Sequence, residues 1–361
     1  MPIVNYQNMM LHAKKHQYAI PSFEINCLNT LHGALSAAEQ HQSPVIFIIP
    51  EVSSENHTTD LLSPSVEAAA SAVNVPITIQ SQIRFDQESA IQAINTGGNS
   101  LVINSPGQKF DTWINDLNKI SQICHSCGVP IEVNLTNSPD LELNQLKQIN
   151  TDSMHISSFF FNNHINELKN EISAPLSIDH DASLEKLQYK HLLENGIAKV
   201  NFKGILLDTL ENQIRQNCNN NLQGCSGLME RTHTTIQDMA ARCIEYCQST
   251  GKAEDQLENC TPWAPIEHLI IFNVSGIDDQ QAQAMMAEGK ESLSTLPGVR
   301  SVVTATAVKE DAQFRFSWLI RFCHPAVIDS YRDHPVHVDF ADRLFRPVAG
   351  DRISIDYQWN S

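Results

Sequence analysis

The sequence predicts an α/β fold in which a (β/α)8 TIM barrel is followed by a smaller α+β, ferredoxin-like domain. The chain has 361 residues, more than one average domain needs. Short β-like runs alternate with helical segments over about the first 250 residues, which is the length and rhythm of an eightfold strand–helix repeat. The pattern then changes to a β-α-β-β-α-α-β order, which predicts a second domain.

The eight candidate barrel strands are short runs rich in β-branched and aromatic residues. Amphipathic segments lie between them, and several of these end in Gly, a common helix terminator. In chain order the strands are YAIPSF, PVIFII, VPITIQ, SLVINS, PIEVNL, MHISSF, PLSIDH and KVNFKG. Because the chemistry of such barrels lies where strands end and the following loops begin, we expect any barrel site at those strand ends.

The second domain begins after a charged, Pro-containing link, which we place at residues 256–263. We therefore assign residues 1–255 to the barrel and 264–361 to the second domain. Alternating residues of FRFSWLIRF place its aromatic side chains on one face of a strand. The element order predicts an open sheet that buries one face under helices.

Composition excludes several classes of function. The chain has 41 Asp and Glu against 24 Lys and Arg, a net charge of −17, and this charge repels nucleic acids and anionic membranes. No run of 18 apolar residues occurs, and the start shows no apolar stretch of signal-peptide length, so we expect a cytoplasmic protein. The pairs Cys124/Cys127 and Cys243/Cys247 are expected to be reduced helix residues without a metal or redox role.

Several segments of the first 255 residues carry the motifs of an enzyme family. The opening VNYQNMMLHAKKHQYAIPSFEINCLNTLHGALSAAEQHQSPVIF, and then GVPIEVNL, NGIAKVNF and CQSTGKA, resemble the class II fructose- and tagatose-bisphosphate aldolases. The resemblance implies a barrel in which three His hold a catalytic zinc that polarises a ketose carbonyl. It also implies an acid/base Asp and a phosphate site built from backbone NH groups with Ser and Thr.

The resemblance also shows where this chain departs from the family's zinc site. The family motif His-x-Asp-His-Gly falls on residues 80–84, so Gln82 replaces the acid/base Asp and Ile83 replaces the first zinc His. The third zinc His falls on Asp179, and only His164 matches a zinc ligand, the second. We therefore expect the zinc to be lost and no cofactor to be bound.

The other catalytic elements of the family are replaced as well. Asn104 occupies the position of a family Asp, and the family's mobile loop looks deleted at the NSPDLE link. The family's glycine-rich phosphate turn is replaced by His-Asp-Ala-Ser at residues 180–183. On the last strand Lys203 and Gly204 stand for Asp and Thr. Because glycines let backbone NH groups approach a phosphate closely, we expect the phosphate site to be lost and zinc-aldolase activity to be absent.

New chemistry at the barrel mouth is the alternative. His164 and Asp179 could rebuild a metal site, Asp181 could serve in acid/base catalysis, and Lys203 could form a Schiff base. A polar rim with ordinary salt bridges would use the same residues without function. The phenylalanines at 159–161 could fill the vacated cavity or form an interface.

The second domain carries motifs of its own. His-x-Ile-x-Phe occurs at 268–272, Leu-Pro-Gly-Val at 296–299 and His-Pro-x-His at 334–337. These residues resemble the Dabb family, the stress-responsive dimeric α/β barrels. The resemblance implies that two copies pair their sheets, so we expect a homodimer or a higher homo-oligomer. A small-molecule ligand is also expected, and the acidic charge argues against a nucleic-acid or membrane partner.

Some relatives in that family are polyketide cyclases that use a Tyr and a His as acid and base. Tyr331 and His337 match that pattern, and His268 is a third candidate; the competing interpretation is a packed, satisfied histidine. The leading hypothesis is therefore a non-catalytic or repurposed aldolase homologue that binds a small molecule or acts as a scaffold. The alternative is an enzyme, either a metal-independent aldol-type lyase at the barrel mouth or a cyclase or isomerase in the C-terminal cavity.

Overall fold

The structure, a computed structural model, describes residues 3–51, 59–138 and 141–358. Eight parallel strands, β1 to β8, close into a barrel in chain order, and four further strands form an antiparallel sheet of order β10-β11-β9-β12. The predicted fold class is confirmed in both parts. The barrel strands are β1 Ile20–Glu24, β2 Val45–Ile49, β3 Ile77–Ile83, β4 Ser100–Asn104, β5 Ile131–Asn134, β6 Ser153–His155, β7 Leu176–Asp179 and β8 Ile197–Phe202.

Strand β6 is shorter than the six residues that the sequence pattern predicted. The chain leaves the strand after His155 because Ser157 begins a helix instead: its Oγ accepts a hydrogen bond from the NH of Phe160 at 3.1 Å. The phenylalanine run therefore lies on a short helix at the barrel mouth.

Helices surround the barrel, and none in the described ranges is long and apolar enough to cross a bilayer. They are α1 Tyr6–Lys15, α2 Leu28–Gln40, α3 Thr59–Ala70, α4 Gln87–Asn95, α5 Phe110–Ser126, α6 Leu143–Leu146, α7 Ser158–Asn163, α8 Ile165–Glu171, α9 Lys186–Glu194, α10 Ile205–Asn219, α11 Gly224–Leu228, α12 Thr232–Cys247 and α13 Ala253–Asn259. The last helix runs across the domain boundary expected at residue 255. Cys124 and Cys127 are buried and unbridged.

A buried ion pair occupies the barrel interior. The Nζ of Lys199 lies 2.9 and 3.0 Å from the two carboxylate oxygens of Glu132 and 2.5 Å from Oε1 of Gln80. Tyr6, from α1, donates its hydroxyl to Glu132 at 2.7 Å. Lys199 and Glu132 are almost completely inaccessible to solvent. Removing one partner of such a pair typically costs about 3–5 kcal/mol because the other charge is left uncompensated.

The C-terminal domain places helices on one face of its sheet. Its elements are β9 Ile266–Val274, α14 Asp279–Leu293, β10 Val299–Thr306, β11 Phe316–Phe322, α15 Val327–Arg332, α16 Pro335–Phe340, a short π-helix Ala341–Phe345 and β12 Ala349–Gln358. The aromatic face predicted for β11 is confirmed, since Phe316, Trp318, Ile320 and Phe322 are all buried. The strand and helix order also matches the prediction.

The two domains are in direct contact. The guanidinium of Arg300, on β10, makes a two-pronged ion pair with Glu67 on α3, with N–O distances of 2.7 and 2.6 Å. Asn95, at the end of α4, donates to the carbonyl of Leu296 and accepts from the NH of Gly298. These contacts fix the turn before β10 against two barrel helices.

Candidate functional sites

Four polar side chains meet at the ends of strands β6 to β8. The carboxylate of Asp179 lies 3.0 Å from Nζ of Lys203 and 3.3 Å from Nε2 of His155. The Nδ2 of Asn201 lies 3.1 Å from Nδ1 of His155 and donates to Asp179 at 3.4 Å. The side chains of β8 alternate, so 199, 201 and 203 point inward in successive layers from the interior to the mouth.

This cluster holds Asp179 ionised. Partial burial alone would raise the pKa of the Asp179 carboxyl, but the hydrogen bond and charge of His155, with the charge of Lys203, lower it well below its usual range. Asp179 is therefore engaged with two basic neighbours, and Lys203 is engaged with a carboxylate. These contacts are those of an ordinary ion pair at the barrel rim. They favour the interpretation of these residues as a polar rim over their interpretation as a reactive site.

The other predicted mouth residues point elsewhere. Asp181 is half-buried by accessible surface, and its Oδ1 accepts hydrogen bonds from the NH and hydroxyl of Ser183. His180 instead hydrogen-bonds through Nδ1 to the hydroxyl of Tyr189 at 2.5 Å. In the turn that the aldolase resemblance assigns to phosphate binding, these side chains thus hydrogen-bond to neighbouring residues of the protein.

His164 faces a separate cavity of about 290 Å³. Its ring lies against Phe160, with 4.6 Å between centroids, and Phe159 lines the same cavity. Phe161 is fully buried. The expectation that the phenylalanines fill space at the mouth therefore holds for Phe161 but not for Phe159, which is largely exposed. The lining of this cavity includes neither Asp179 nor Lys203.

An apolar residue occupies the position that the aldolase resemblance assigns to the first zinc ligand. Ile83 is buried, and with Gln82 and Arg84 it lines a cavity of only about 50 Å³. Within the described residues, the set of three His, Cys, Asp or Glu side chains whose ligand atoms come together contains neither His164 nor Asp179. That set lies on α1 and α13.

Two amides pair where β4 and β5 end. The Nδ2 of Asn134 donates to Oδ1 of Asn104 at 2.9 Å, and Oδ1 of Asn134 accepts from Thr136. Part of the following NSPDLE link, residues 139–140, lies outside the described residues, so the deletion of a mobile loop stays a prediction.

The sequence did not identify His155 as a site residue, because MHISSF was interpreted only as a strand. The alternation of side chains along that strand placed His155 on one face and could have identified it as a candidate.

The C-terminal domain contains a cavity of about 420 Å³ between the sheet and helices α15 and α16. Tyr331, His337 and His268 all line it. The rings of Tyr331 and His337 are 4.4 Å apart between centroids, and those of His268 and Tyr331 are 6.2 Å apart. The structure thus brings together the three side chains that the sequence placed in this cavity.

Hydrogen bonds set the state of the two histidines. Nδ1 of His337 lies 2.9 Å from the carbonyl oxygen of Arg332, so it must donate, which leaves Nε2 as an acceptor in the neutral ring. Burial lowers the pKa of His337 and favours that neutral ring. Nδ1 of His268 pairs with Asp356 at 2.6 Å. Burial raises the pKa of Tyr331, which keeps its hydroxyl protonated.

Three arginines add positive charge to the cavity wall. Arg332 pairs with Asp329 and Asp333, and Arg346 pairs with Asp342. Arg352 lies over the ring of Phe345 at 6.0 Å and takes part in none of the ion pairs among the described residues. The cavity therefore combines an apolar wall with an unpaired guanidinium, a neutral His and a protonated Tyr, which suits an organic anion.

The comparisons with known proteins agree with both resemblances. Residues 4–162 match the class-II fructose-bisphosphate aldolase family, and residues 266–359 match the stress responsive A/B barrel domain. A fructose-bisphosphate aldolase of Thermus caldophilus is 26% identical over 123 residues, 34% of this chain and 40% of that protein. One of Giardia intestinalis is 27% identical over 136 residues, 37% of this chain and 42% of that protein. The chain spans less than half the length of these curated relatives.

Solved structures share the fold of the barrel. The YdjI aldolase of Escherichia coli K12 superposes with a TM-score of 0.63 at 22% identity, covering 70% of this chain and 99% of that chain. The fructose-bisphosphate aldolase of Campylobacter jejuni gives a TM-score of 0.52 at 13% identity, covering 69% and 96%. The two predicted family resemblances are therefore confirmed, the first for an aldolase-type barrel and the second for a Dabb domain.

The Asp179 cluster predicts a pH dependence of stability. Because the folded pKa of Asp179 lies below the unfolded value of about 3.9, its contribution is present above that value and is lost as pH falls toward the folded pKa. Urea midpoints of the wild type and Asp179→Asn should therefore differ by a constant amount above about pH 5 and converge below about pH 4.

The control for this measurement is Asp116→Asn, which removes an exposed carboxylate paired with Lys119. It should shift the midpoint little at any pH. A gap between the wild type and Asp179→Asn that stays the same down to about pH 3 would contradict the assignment.

Proposed function

We propose that this chain is an aldolase-type barrel without zinc-dependent cleavage activity, and that it binds a small organic acid in the cavity of its Dabb domain. The observation that carries the proposal is the 420 Å³ cavity that Tyr331, His337 and Arg352 line together with apolar side chains. Cavities of about 300–1,000 Å³ with few convergent polar groups are typical of small-molecule sites.

The absence of zinc chemistry is supported by the donor set at the barrel mouth. Ile83 offers no lone pair, Gln82 has no usable proton equilibrium, and Asp179 is already bound by His155 and Lys203. The residues present do not fit a three-histidine zinc site. The ion pair of Lys203 with Asp179 likewise disfavours a Schiff-base role, since the amine is already engaged with a carboxylate.

Charge and shape favour an organic acid with an apolar body as the ligand. The wall contains Trp318, Ile320 and Phe340, which suit an aromatic or branched hydrocarbon. Arg352, on the edge strand β12, can pair with a carboxylate without giving up a partner in the described residues. A carboxylate anchored there would place the body of the ligand against the aromatic wall.

Catalysis in the same cavity is the second candidate, and one observation favours it. Neutral His337 presents Nε2 as a base beside the protonated hydroxyl of Tyr331, an acid, so the pair could move a proton within a bound substrate. A cyclisation or an isomerisation needs such a transfer. His268, held by Asp356, would orient the substrate rather than exchange the proton.

Homodimer formation is proposed from the uncovered face of the C-terminal sheet. The helices cover one face, while the other exposes apolar side chains across neighbouring strands: Val303, Leu319, Ile353, Ile355 and Tyr357. Leu319 and Ile355 both pair with Leu269, so the apolar row is continuous across the sheet. A second copy of the same face would bury it symmetrically, which supports the homodimer expected from the Dabb resemblance.

The first prediction is that fructose 1,6-bisphosphate is not cleaved, with or without added zinc. Release of triose phosphate is measured in a coupled assay, with an active class II aldolase as the positive control. The reason is that no three-ligand set at the mouth can hold the ion that polarises the ketose. Cleavage that is abolished both by a chelator and by His164→Ala would overturn the proposal for the barrel.

The second prediction concerns the ligand. Full-length protein should bind 2-naphthoate, followed by calorimetry, more tightly than the isosteric neutral 2-naphthamide. Arg352→Gln should weaken naphthoate binding about tenfold, which corresponds to the loss of one charged hydrogen bond of about 1.4 kcal/mol, and leave the amide unaffected.

Arg215→Gln is the matched control for that variant, because Arg215 is exposed on α10 and pairs with Glu211. It should bind both compounds like the wild type. Equal affinity for acid and amide, or naphthoate binding that does not respond to Arg352→Gln, would contradict an anion site in this cavity.

The third prediction concerns assembly. In light scattering after size exclusion the wild type should have twice the chain mass, and Leu319→Asp or Ile355→Asp should have the mass of one chain, because a carboxylate would be buried unpaired. Leu187→Asp, on exposed α9, is the control and should stay dimeric. A wild type that is monomeric at micromolar concentration would refute the dimer.

A further inference from the structure

A third cluster lies far from both cavities, on the outside of the barrel, where α1 meets α13. His12, His16 and Asp255 each bring one ligand atom within 4.8 Å of the others. Nε2 of His12 lies 3.1 Å from Oδ2 of Asp255. The ring of His12, on α1, stacks on that of His16, which caps the C-terminal end of α1, with 4.2 Å between centroids and 16° between planes. Because two nearly parallel rings cannot both direct a lone pair at one ion, the exposed His16 ring must turn before both can bind it.

His12 is held as a metal-ligating histidine would be. It is only 8% exposed, and its Nδ1 lies 2.9 Å from the hydroxyl oxygen of Tyr18. That hydroxyl in turn accepts from Nε2 of Gln256 at 2.6 Å. The other ring nitrogen, Nε2, is buried and has no hydrogen-bond partner of proper geometry in the described part of the chain. A buried polar atom without a partner is costly, and here it is aimed at the carboxylate side of the cluster.

From this geometry we propose that His12, His16 and Asp255 form a binding site for a divalent transition-metal ion of the zinc type. Two imidazole nitrogens and one carboxylate oxygen are a donor set that such ions prefer over Mg²⁺ or Ca²⁺. Three protein ligands leave a coordination position for water. His16 is exposed and Asp255 half-buried, so an ion can enter from solvent.

The surroundings supply the second layer that such a site needs. A metal on Nε2 of His12 requires Nδ1 to carry the proton and to donate it to the Tyr18 hydroxyl, 2.9 Å away. The positive charges nearest the cluster are Lys15, on α1, and Lys252, whose Nζ lies over the Tyr18 ring.

A bound ion would link α1 to α13, helices from the two ends of the barrel sequence. His12 lies on α1 and His16 caps its C-terminal end, and Asp255 lies on α13, the helix that leads into the C-terminal domain. The expected role is therefore stabilisation of the folded chain rather than catalysis, because binding to the folded state alone raises stability by mass action.

The test uses full-length protein stripped of metal by a chelator and dialysed. The wild type should bind one Zn²⁺ per chain in calorimetry, melt at a higher temperature with the ion, and give Co²⁺ a ligand-field spectrum of low coordination number. His16→Ala and Asp255→Asn should lose all three effects. Tyr18→Phe should weaken binding roughly tenfold by removing the outer hydrogen bond.

His164→Ala is the control that separates this site from the barrel mouth. It should bind zinc like the wild type. Zinc binding that survives His16→Ala but is lost in His164→Ala would overturn this proposal and the proposed loss of the mouth zinc together. An apo wild type that binds no zinc would overturn this proposal alone, since the C-terminal cavity does not depend on it.

Discussion

The ion pair between Lys199 and Glu132 is the constraint on which the interior of the barrel depends. Two charges are enclosed there, and they are stable only because Gln80 and Tyr6 complete their hydrogen bonds. The pair ties β8 to β5 and β3 across the barrel, and Tyr6 holds α1 against the same network. His12 lies on the same helix as Tyr6.

The two candidate sites differ in whether their charged and polar groups already have partners. At the barrel mouth Asp179 and Lys203 neutralise each other, so neither is available to a substrate without breaking an existing pair. In the C-terminal cavity Arg352 and the free nitrogen of His337 have no such partner among the described residues. Binding sites need groups whose hydrogen-bonding capacity is unsatisfied until the ligand arrives. This difference supports the proposal that the smaller domain binds the ligand.

Much of the fold could be predicted because strand–helix alternation has a regular period, whereas the sites depend on contacts between distant residues. Tyr331 and His337 were found because the resemblance to the Dabb family implied a Tyr and a His with that spacing. Arg352 was not, because only the register of β12 against β9 brings it to the cavity. His12 and Asp255 lie near opposite ends of the barrel sequence, and no local sequence pattern indicates that they are close in space. Closure of the barrel brings them together.

The docking of the second domain onto α3 and α4 has a consequence for how the chain behaves as a unit. The turn at Gly298 packs closely against Cys127 of the barrel and Val327 of the second domain, and one apolar cluster runs through both domains. The link between them is therefore not a tether that lets two independent bodies move. A protease that cut this link would leave a nicked but associated protein, and neither half could be exchanged for a homologue without rebuilding the shared surface.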